Sequence, residues 1–367
     1  MSVASLHQAS SSVCNLPFDI PSLKPGECHT RTITYSSVTR NYLLCIPSGY
    51  TSREQGFMPL VFNFHGWGDN MHSDVKEAGL WSFANTELEG NDTFILVHPN
   101  GFSDFTSPGW NSWHVPGSGG HDSPGPSGST CNDKGNHPEY CYPSCGGSCS
   151  DDGCGWTHCY DDVSFVEDVI SDVKSLLCVD DTRMYATGCS NGGMMSFHVA
   201  ESMSETFAAA APVCGSYPKG YLNHTEGGLG VPIMTITGRK DETVPGNATR
   251  WNKGDEDKVH PLSSDGYYYT SVGDITERWS SKNGCVTDQI GVYDVGEDVE
   301  GEANGLSCIT YGRECRGGDV ISCSWDGGHD YYGGSGGGVN APLVWGFLKR
   351  WRRNRDGEVE EIKDDIN

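Results

Sequence analysis

The chain has 367 residues, with 49 Asp+Glu against 24 Lys+Arg and a net charge of −25. So little basic surface excludes sequence-independent binding to nucleic acid or to an anionic membrane, and disfavours polyanions such as pectate as substrates. With 36% hydrophobic and 20% charged residues the composition is globular, and no run of apolar residues is long enough for a transmembrane helix.

Taken in order, strand-like and helix-like segments alternate, which predicts an α/β fold with a mainly parallel central sheet and helices on both faces. Residues 40–46 (RNYLLCI), 59–64 (PLVFNF) and 93–97 (TFILV) read as strands. Residues 161–177 read as a helix, because Val163, Val166, Val169, Ile170, Val173 and Leu177 repeat at helical spacing. Asp161 and Asp162 read as its cap and first-turn charges rather than a metal site. A strand at 183–187 and a helix at 191–203 follow, then strands at 207–213, 231–237 and 320–325. Residues 342–351 read as the closing helix, with the basic run 349–355 as its solvated C-terminal end. The expected organisation is an N-terminal segment 1–27, one α/β domain 28–355 and an acidic, frayed tail 356–367. Two segments break the alternation and read as surface insertions: 114–160, rich in Gly, Pro, Ser and Cys, and the polar 246–270 with its Tyr267-Tyr268-Tyr269 cluster.

Sixteen cysteines, an even number, point to an oxidising compartment. The sequons at Asn91, Asn223 and Asn247 agree with that, as candidate glycosylation sites. Residues 1–12 lack the apolar core of a signal peptide, so the expectation is an extracellular protein whose signal is not part of this chain. Six cysteines between Cys131 and Cys159 stand among several histidines, but no C-x-x-C pair occurs as structural zinc sites usually have. The segment therefore reads as a disulfide-stapled loop with open connectivity and no metal. Its place just before the helix 161–177, which leads to the Gly-Cys-Ser-Asn-Gly turn at 188–192, makes it a candidate pocket wall.

Gly188-Cys189-Ser190-Asn191-Gly192 fits G-x-S-x-G and lies between a strand and a helix, the context that the nucleophile elbow requires. The sharp turn exposes Ser190 and demands small residues two positions either side. A second N–H donor for an oxyanion is expected from His65-Gly66-Trp67-Gly68, just past a strand, so the assigned donors are the backbone N–H groups of Asn191 and Trp67. In hydrolases built on this turn the acid and the base follow the serine in that order. Asp241, just past the strand 231–237, and His329, in a Gly-rich loop after the strand 320–325, fill those places. Rival acids in 246–270 and the histidines His198 and His260 lack that context. No cofactor is required. Trp110, Trp113, Trp156, Trp325, Tyr331 and Tyr332 flank the motif loops and are candidates to line a substrate cleft, with ordinary packing as the alternative.

The stretches PLVFNFHGWGDN, DDVSFVEDVISDVKSLLCVDDTRMYATGCSNGGMMS, TGRKDETVP and WDGGHDYYGG together resemble the secreted polyhydroxybutyrate depolymerase and feruloyl esterase group of α/β-hydrolases, the first carbohydrate esterase family. The resemblance covers about residues 40–350 outside the insertions. It implies an α/β-hydrolase fold and a serine esterase with Ser190 as nucleophile, His329 as base and Asp241 as its orienter. The substrate it implies is a feruloyl or aryl ester of polysaccharide. A short polyester such as hydroxybutyrate and an acetyl(xylan) ester are the alternatives, and a non-catalytic carbohydrate-binding protein on the same fold is the alternative outside enzymes. The expected state is a monomer. In tannase-like feruloyl esterases a Cys before the nucleophile bridges to a Cys after the catalytic His. Here Asp330 follows His329, which leaves Cys323 as the alternative partner of Cys189.

Overall fold

A strand that is covered on both faces needs consecutive apolar residues rather than alternating ones. The computed structural model describes residues 23–35, 38–50, 57–88, 92–104, 110–146, 152–222, 228–295, 303–334 and 339–362. In chain order these hold β1 (Glu27–Tyr35), β2 (Val38–Ile46), β3 (Met58–Phe64), α1 (Met71–Glu77), α2 (Leu80–Thr86), β4 (Ile95–Pro99), α3 (Asp162–Leu176), β5 (Val179–Cys189) and α4 (Asn191–Ser202). Then come β6 (Ala209–Val213), β7 (Ile233–Gly238), α5 (Val272–Lys282), β8 (Val286–Val292), β9 (Ser307–Arg313), β10 (Val320–Trp325), α6 (Asn340–Leu348), β11 (Trp351–Arg353) and β12 (Val359–Glu361). Every residue of β3, β4, β6 and β7 is buried, as their sequences require.

Ten strands form one sheet in the order β1-β2-β4-β3-β5-β6-β7-β10-β9-β8. From β4 to β10 all neighbours are parallel. Antiparallel pairs extend both sides. This is the α/β-hydrolase arrangement that the motifs implied. One core layer packs α3, α4 and α5 on the sheet through Phe165, Val169, Met195, Phe197 and Trp279. The other packs α1, α2 and α6 through Leu80, Ala84, Val344, Trp345 and Phe347.

Several local readings are corrected. The closing helix ends at Leu348, and the basic run beyond it continues as β11, paired with β12 from the expected tail. Its arginines are not a solvated helix end: Arg353 is buried and donates to the Phe207 and Gly230 carbonyls, and Arg350 pairs with Asp319 and Glu361. Asp161 does cap α3. Asp162 does stand in its first turn, and it also forms a fully buried ion pair with Arg40 at 2.7 Å, with the Arg40 guanidinium 3.9 Å from the Phe165 ring centroid. Tyr267, Tyr268 and Tyr269 are buried rather than at the surface.

Six disulfides lie wholly within the described residues, and no described cysteine is free. Cys131–Cys154 and Cys145–Cys159 staple the 114–160 segment. Cys149 of that segment lies outside the described residues. Cys323 pairs with Cys308, its direct cross-strand neighbour, and so is not the partner of Cys189. Cys189 ends β5 opposite Val213 of β6 and bridges to the next residue, Cys214.

Candidate active site

The loops that leave the C-terminal ends of β3, β5, β7 and β10 converge, where open parallel sheets bind their ligands. Ser190 follows β5 directly and has φ 60° and ψ −125°, a conformation that costs a non-glycine residue energy and turns the side chain outward. The flanking glycines are required by contact. A Cβ on Gly192 would lie 1.8 Å from the Phe64 carbonyl oxygen, one on Gly188 2.3 Å from the same atom, and one on Gly193 2.4 Å from the Val213 oxygen. The elbow is thus pressed against the end of β3 on one side and β6 on the other. Ser190 N–H donates to the Val213 oxygen at 3.1 Å, beside the Cys189–Cys214 bridge.

β7 and β10 are neighbours in register, with Trp325 opposite Gly238, so the loops after them touch. Lys240 N–H donates to the Gly327 oxygen at 2.8 Å. This brings His329 Nδ1 to 2.8 Å from Asp241 Oδ2, and His329 Nε2 to 2.9 Å from Ser190 Oγ. Asp241 is buried, and its Oδ1 accepts from the N–H groups of Thr243 and Val244 at 2.9 and 2.8 Å. The three residues chosen from the sequence therefore form one hydrogen-bonded chain.

The loop after β3 lies against the serine: a Cβ on Gly66 would stand 3.6 Å from Ser190 Cβ. His65 fixes this loop. Its Nδ1–H donates to the Gly66 oxygen at 2.7 Å, and its Nε2 accepts from Gly101 N–H at 2.7 Å. Burial lowers the His65 pKa, which keeps the neutral tautomer that this pattern needs. Gly68 N–H is committed to the Asn111 oxygen at 2.7 Å. Asn191 opens α4, where first-turn N–H groups have no intrahelical partner, and its side chain is locked to the Trp113 backbone at 2.7 and 3.0 Å.

A cavity of about 290 Å³ opens over Ser190 and His329. Trp67, Tyr140, Trp156, Tyr267 and Tyr269 give it an aromatic wall, with Met194 and Val244 below and His137 and Asp265 also lining it. Trp67 is anchored by its indole N–H, which donates to the Trp156 oxygen at 2.8 Å. Among the candidate binding residues, Trp110 supports this wall from behind, with ring centroids 5.0 Å from Trp67 and 4.9 Å from Tyr140. Trp113, Trp325, Tyr331 and Tyr332 are buried in the core and do not line the cavity. Trp113 N–H groups serve the Asn191 side chain and the His65 oxygen, so its place is under the catalytic loops rather than beside substrate. Apart from Trp67, the aromatic residues that do line the wall come from the two insertions. The sequence marks Trp156 as a cleft candidate and the tyrosine cluster as a feature of the second insertion; Trp156 lines the cavity, as do Tyr267 and Tyr269, while Tyr268 turns away to Asp255. Asn247 is exposed, while Asn91 and Asn223 lie outside the described residues. Among the described residues no group of acidic, His or Cys side chains is arranged to hold a metal.

No family model matches the chain. A protein of Aspergillus flavus named "Probable feruloyl esterase C" is 23% identical over 331 residues, which covers 89% of this chain and 86% of that protein. Feruloyl esterase C of Emericella nidulans is 25% identical over 207 residues, 56% of each chain. Among solved structures, an acetyl xylan esterase from Aspergillus awamori aligns over 82% of this chain and 94% of its own at 12% identity, with a TM-score of 0.49. Both sequence relatives carry the name feruloyl esterase, which agrees with the resemblance of the motifs.

Proposed function

We propose that this carboxylic ester hydrolase is an extracellular serine enzyme that works through an acyl-enzyme on feruloyl or related aryl esters of polysaccharide. The observation that carries the reading is the unbroken hydrogen-bonded chain Asp241–His329–Ser190 at the base of an aromatic cavity. His329 Nε2 takes the Ser190 proton as Oγ attacks the ester carbonyl, and Asp241 holds the ring and stabilises the imidazolium. The N–H groups of Asn191 and Trp67 receive the developing oxyanion, favoured by the positive end of α4. His329 then returns the proton to the leaving alcohol, and water releases the acid by the same path in reverse. Flat aromatic faces on several sides suit a planar acyl group better than a flexible hydroxyalkanoate. The disulfides and the exposed Asn247 sequon support an oxidising, secretory route. No described helix is long and apolar enough to cross a membrane.

The test is hydrolysis of methyl ferulate beside a hydroxybutyrate trimer, with Ser190→Ala as blank. Ferulate release by the parent protein alone is the expected result. Cleavage of the trimer alone overturns the substrate assignment, and turnover by Ser190→Ala overturns the mechanism.

A further inference from the structure

His329 sits in a segment poorly able to hold itself. Residues 326–334 read DGGHDYYGG, and Gly333 and Gly334 both have positive φ, 83° and 92°. Glycine-rich backbone has the most conformational freedom to lose, so the position of the base must be set by contacts to the rest of the fold. Before His329 the contacts are Asp326 N–H to the Asn304 oxygen, the Arg239 guanidinium to Asp326, and Lys240 N–H to the Gly327 oxygen. After it, the Tyr331 hydroxyl donates to Asp74 Oδ1 at 2.6 Å.

Asp74 lies in α1, just after the loop that carries Gly66 and Trp67. Its Oδ2 accepts from His98 Nδ1–H at 2.9 Å and from the Asn63 side-chain amide. Asn63 is two residues before His65. His98 is three residues before Gly101, whose N–H holds His65 Nε2. One carboxylate therefore gathers β3, β4 and α1, the three segments that set the oxyanion loop, and binds them to the loop of the general base. All four side chains are buried, with exposures of 0% for Asn63 and His98, 1% for Asp74 and 3% for Tyr331. Among the described residues, Asn63 Oδ1 and His98 Nε2 find no hydrogen-bond partner. A buried polar group that is only partly satisfied costs stability, and apolar side chains would fill this space more cheaply. None of these four residues lines the cavity or belongs to the Asp241–His329–Ser190 chain.

We propose that Asp74 and Tyr331 are positioning residues for the esterase reaction: the Tyr331–Asp74 hydrogen bond fixes the His329 loop against the oxyanion loop. The proposal rests on the serine-triad reading above. Burial and the neighbouring Asp74 charge hold the Tyr331 phenol well above its ordinary pKa, so it remains a donor across the working range.

The test compares Tyr331→Phe, Asp74→Asn and the double variant with the parent and Ser190→Ala, on one aryl ester well below every Tm. Tyr331→Phe removes one oxygen and keeps the ring, so it carries the test if Asp74→Asn does not fold. Misplacement of a reacting group by a fraction of an ångström predicts a kcat loss of about tenfold or more with KM nearly unchanged. Residues acting through one bond also predict a double variant no slower than the slower single. Tyr331→Phe with full kcat and a lowered Tm makes the bond purely structural and overturns the proposal, as do losses that multiply. If Ser190→Ala is inert while Tyr331→Phe is fully active, only this proposal fails. If Ser190→Ala turns the ester over, the triad reading fails and takes this one with it.

Discussion

Replacing Asp241 by Asn isolates the electrostatic part of the site from its packing. Two backbone N–H groups, of Thr243 and Val244, point at Oδ1 from 2.9 and 2.8 Å. They need an acceptor, so an Asn must leave its amide oxygen there and place its NH2 where Oδ2 now meets His329 Nδ1 at 2.8 Å. Donor would then face donor unless the imidazole moves its proton from Nδ1 to Nε2. That proton points at Ser190 Oγ, 2.9 Å away, and the serine has lost its base. The number of hydrogen bonds is the same before and after, so folding is expected to change little. The cost to kcat is that of the wrong tautomer, about 10⁴-fold, or roughly 5.5 kcal/mol at about 1.4 kcal/mol per decade. The assay is kcat on an aryl ester beside a thermal unfolding curve. A loss under about tenfold would show that Asp241 does not set the tautomer, against the assigned role. A large fall in Tm would show that the carboxylate acts through structure instead.

Gly192→Ala is expected to destabilise and inactivate together, because its Cβ would fall 1.8 Å from the Phe64 oxygen and 2.7 Å from the His65 oxygen, both backbone atoms that cannot swing aside. Overpacking of this kind costs about 1–3 kcal/mol or more, while Gly346→Ala in α6, where a Cβ meets nothing within 4 Å, is expected to be neutral or stabilising; equal Tm values for the two would refute the contact. Burial, partly offset by Asp162, lowers the His158 pKa to about 4, with its Nε2–H donated to the Ser112 oxygen and its Nδ1 accepting from Tyr160 N–H. The unfolded chain takes up this proton near its ordinary value of about 6.5 and the folded one does not, so the stabilisation is whole above that pH and is lost progressively down to about pH 4. The sum is about 3 kcal/mol, and His158→Gln is expected to flatten the fall of Tm across that window; an unchanged slope would refute it.

The sheet was legible because strands covered on both faces carry consecutive apolar residues, as in LVF of β3 and ILV of β4, and α3 because one face repeats at helical spacing. β8 and β9 were not, since β8 is the exposed edge where Ile290 and Val292 face solvent, and β9 beside it is mostly half-buried and polar. The positions of Ser190, Asp241 and His329 were legible for a different reason: each stands just past a buried strand whose end is fixed by the sheet. Choosing aromatics by nearness to a motif failed for Trp325, which is turned beneath its own loop, and for Tyr332, whose ring packs on Trp325 at 5.8 Å. Nearness in sequence to a catalytic residue says little about direction, and these side chains point into the core.

The wall of the cavity shows why local pattern could not supply the rest. Tyr140 and Trp156 come from one insertion, Tyr267 and Tyr269 from the other, more than a hundred residues later. What brings them together is a set of main-chain contacts between the insertions: Asn132 N–H to the Gly266 oxygen and Tyr268 N–H to the Thr130 oxygen, each at 2.9 Å. Cys131 stands in this junction as the bridge partner of Tyr267, and its disulfide runs to Cys154, two residues before Trp156. Two facing parts of the wall are thus tied by one covalent bond and one pair of strand-like hydrogen bonds. A wall held this way is ordered before substrate arrives, so an aryl group that enters does not bear the entropy of assembling it. The insertions that carry no periodic apolar pattern of their own therefore shape the cavity, while the hydrolase frame beneath them positions the serine, the histidine and the aspartate.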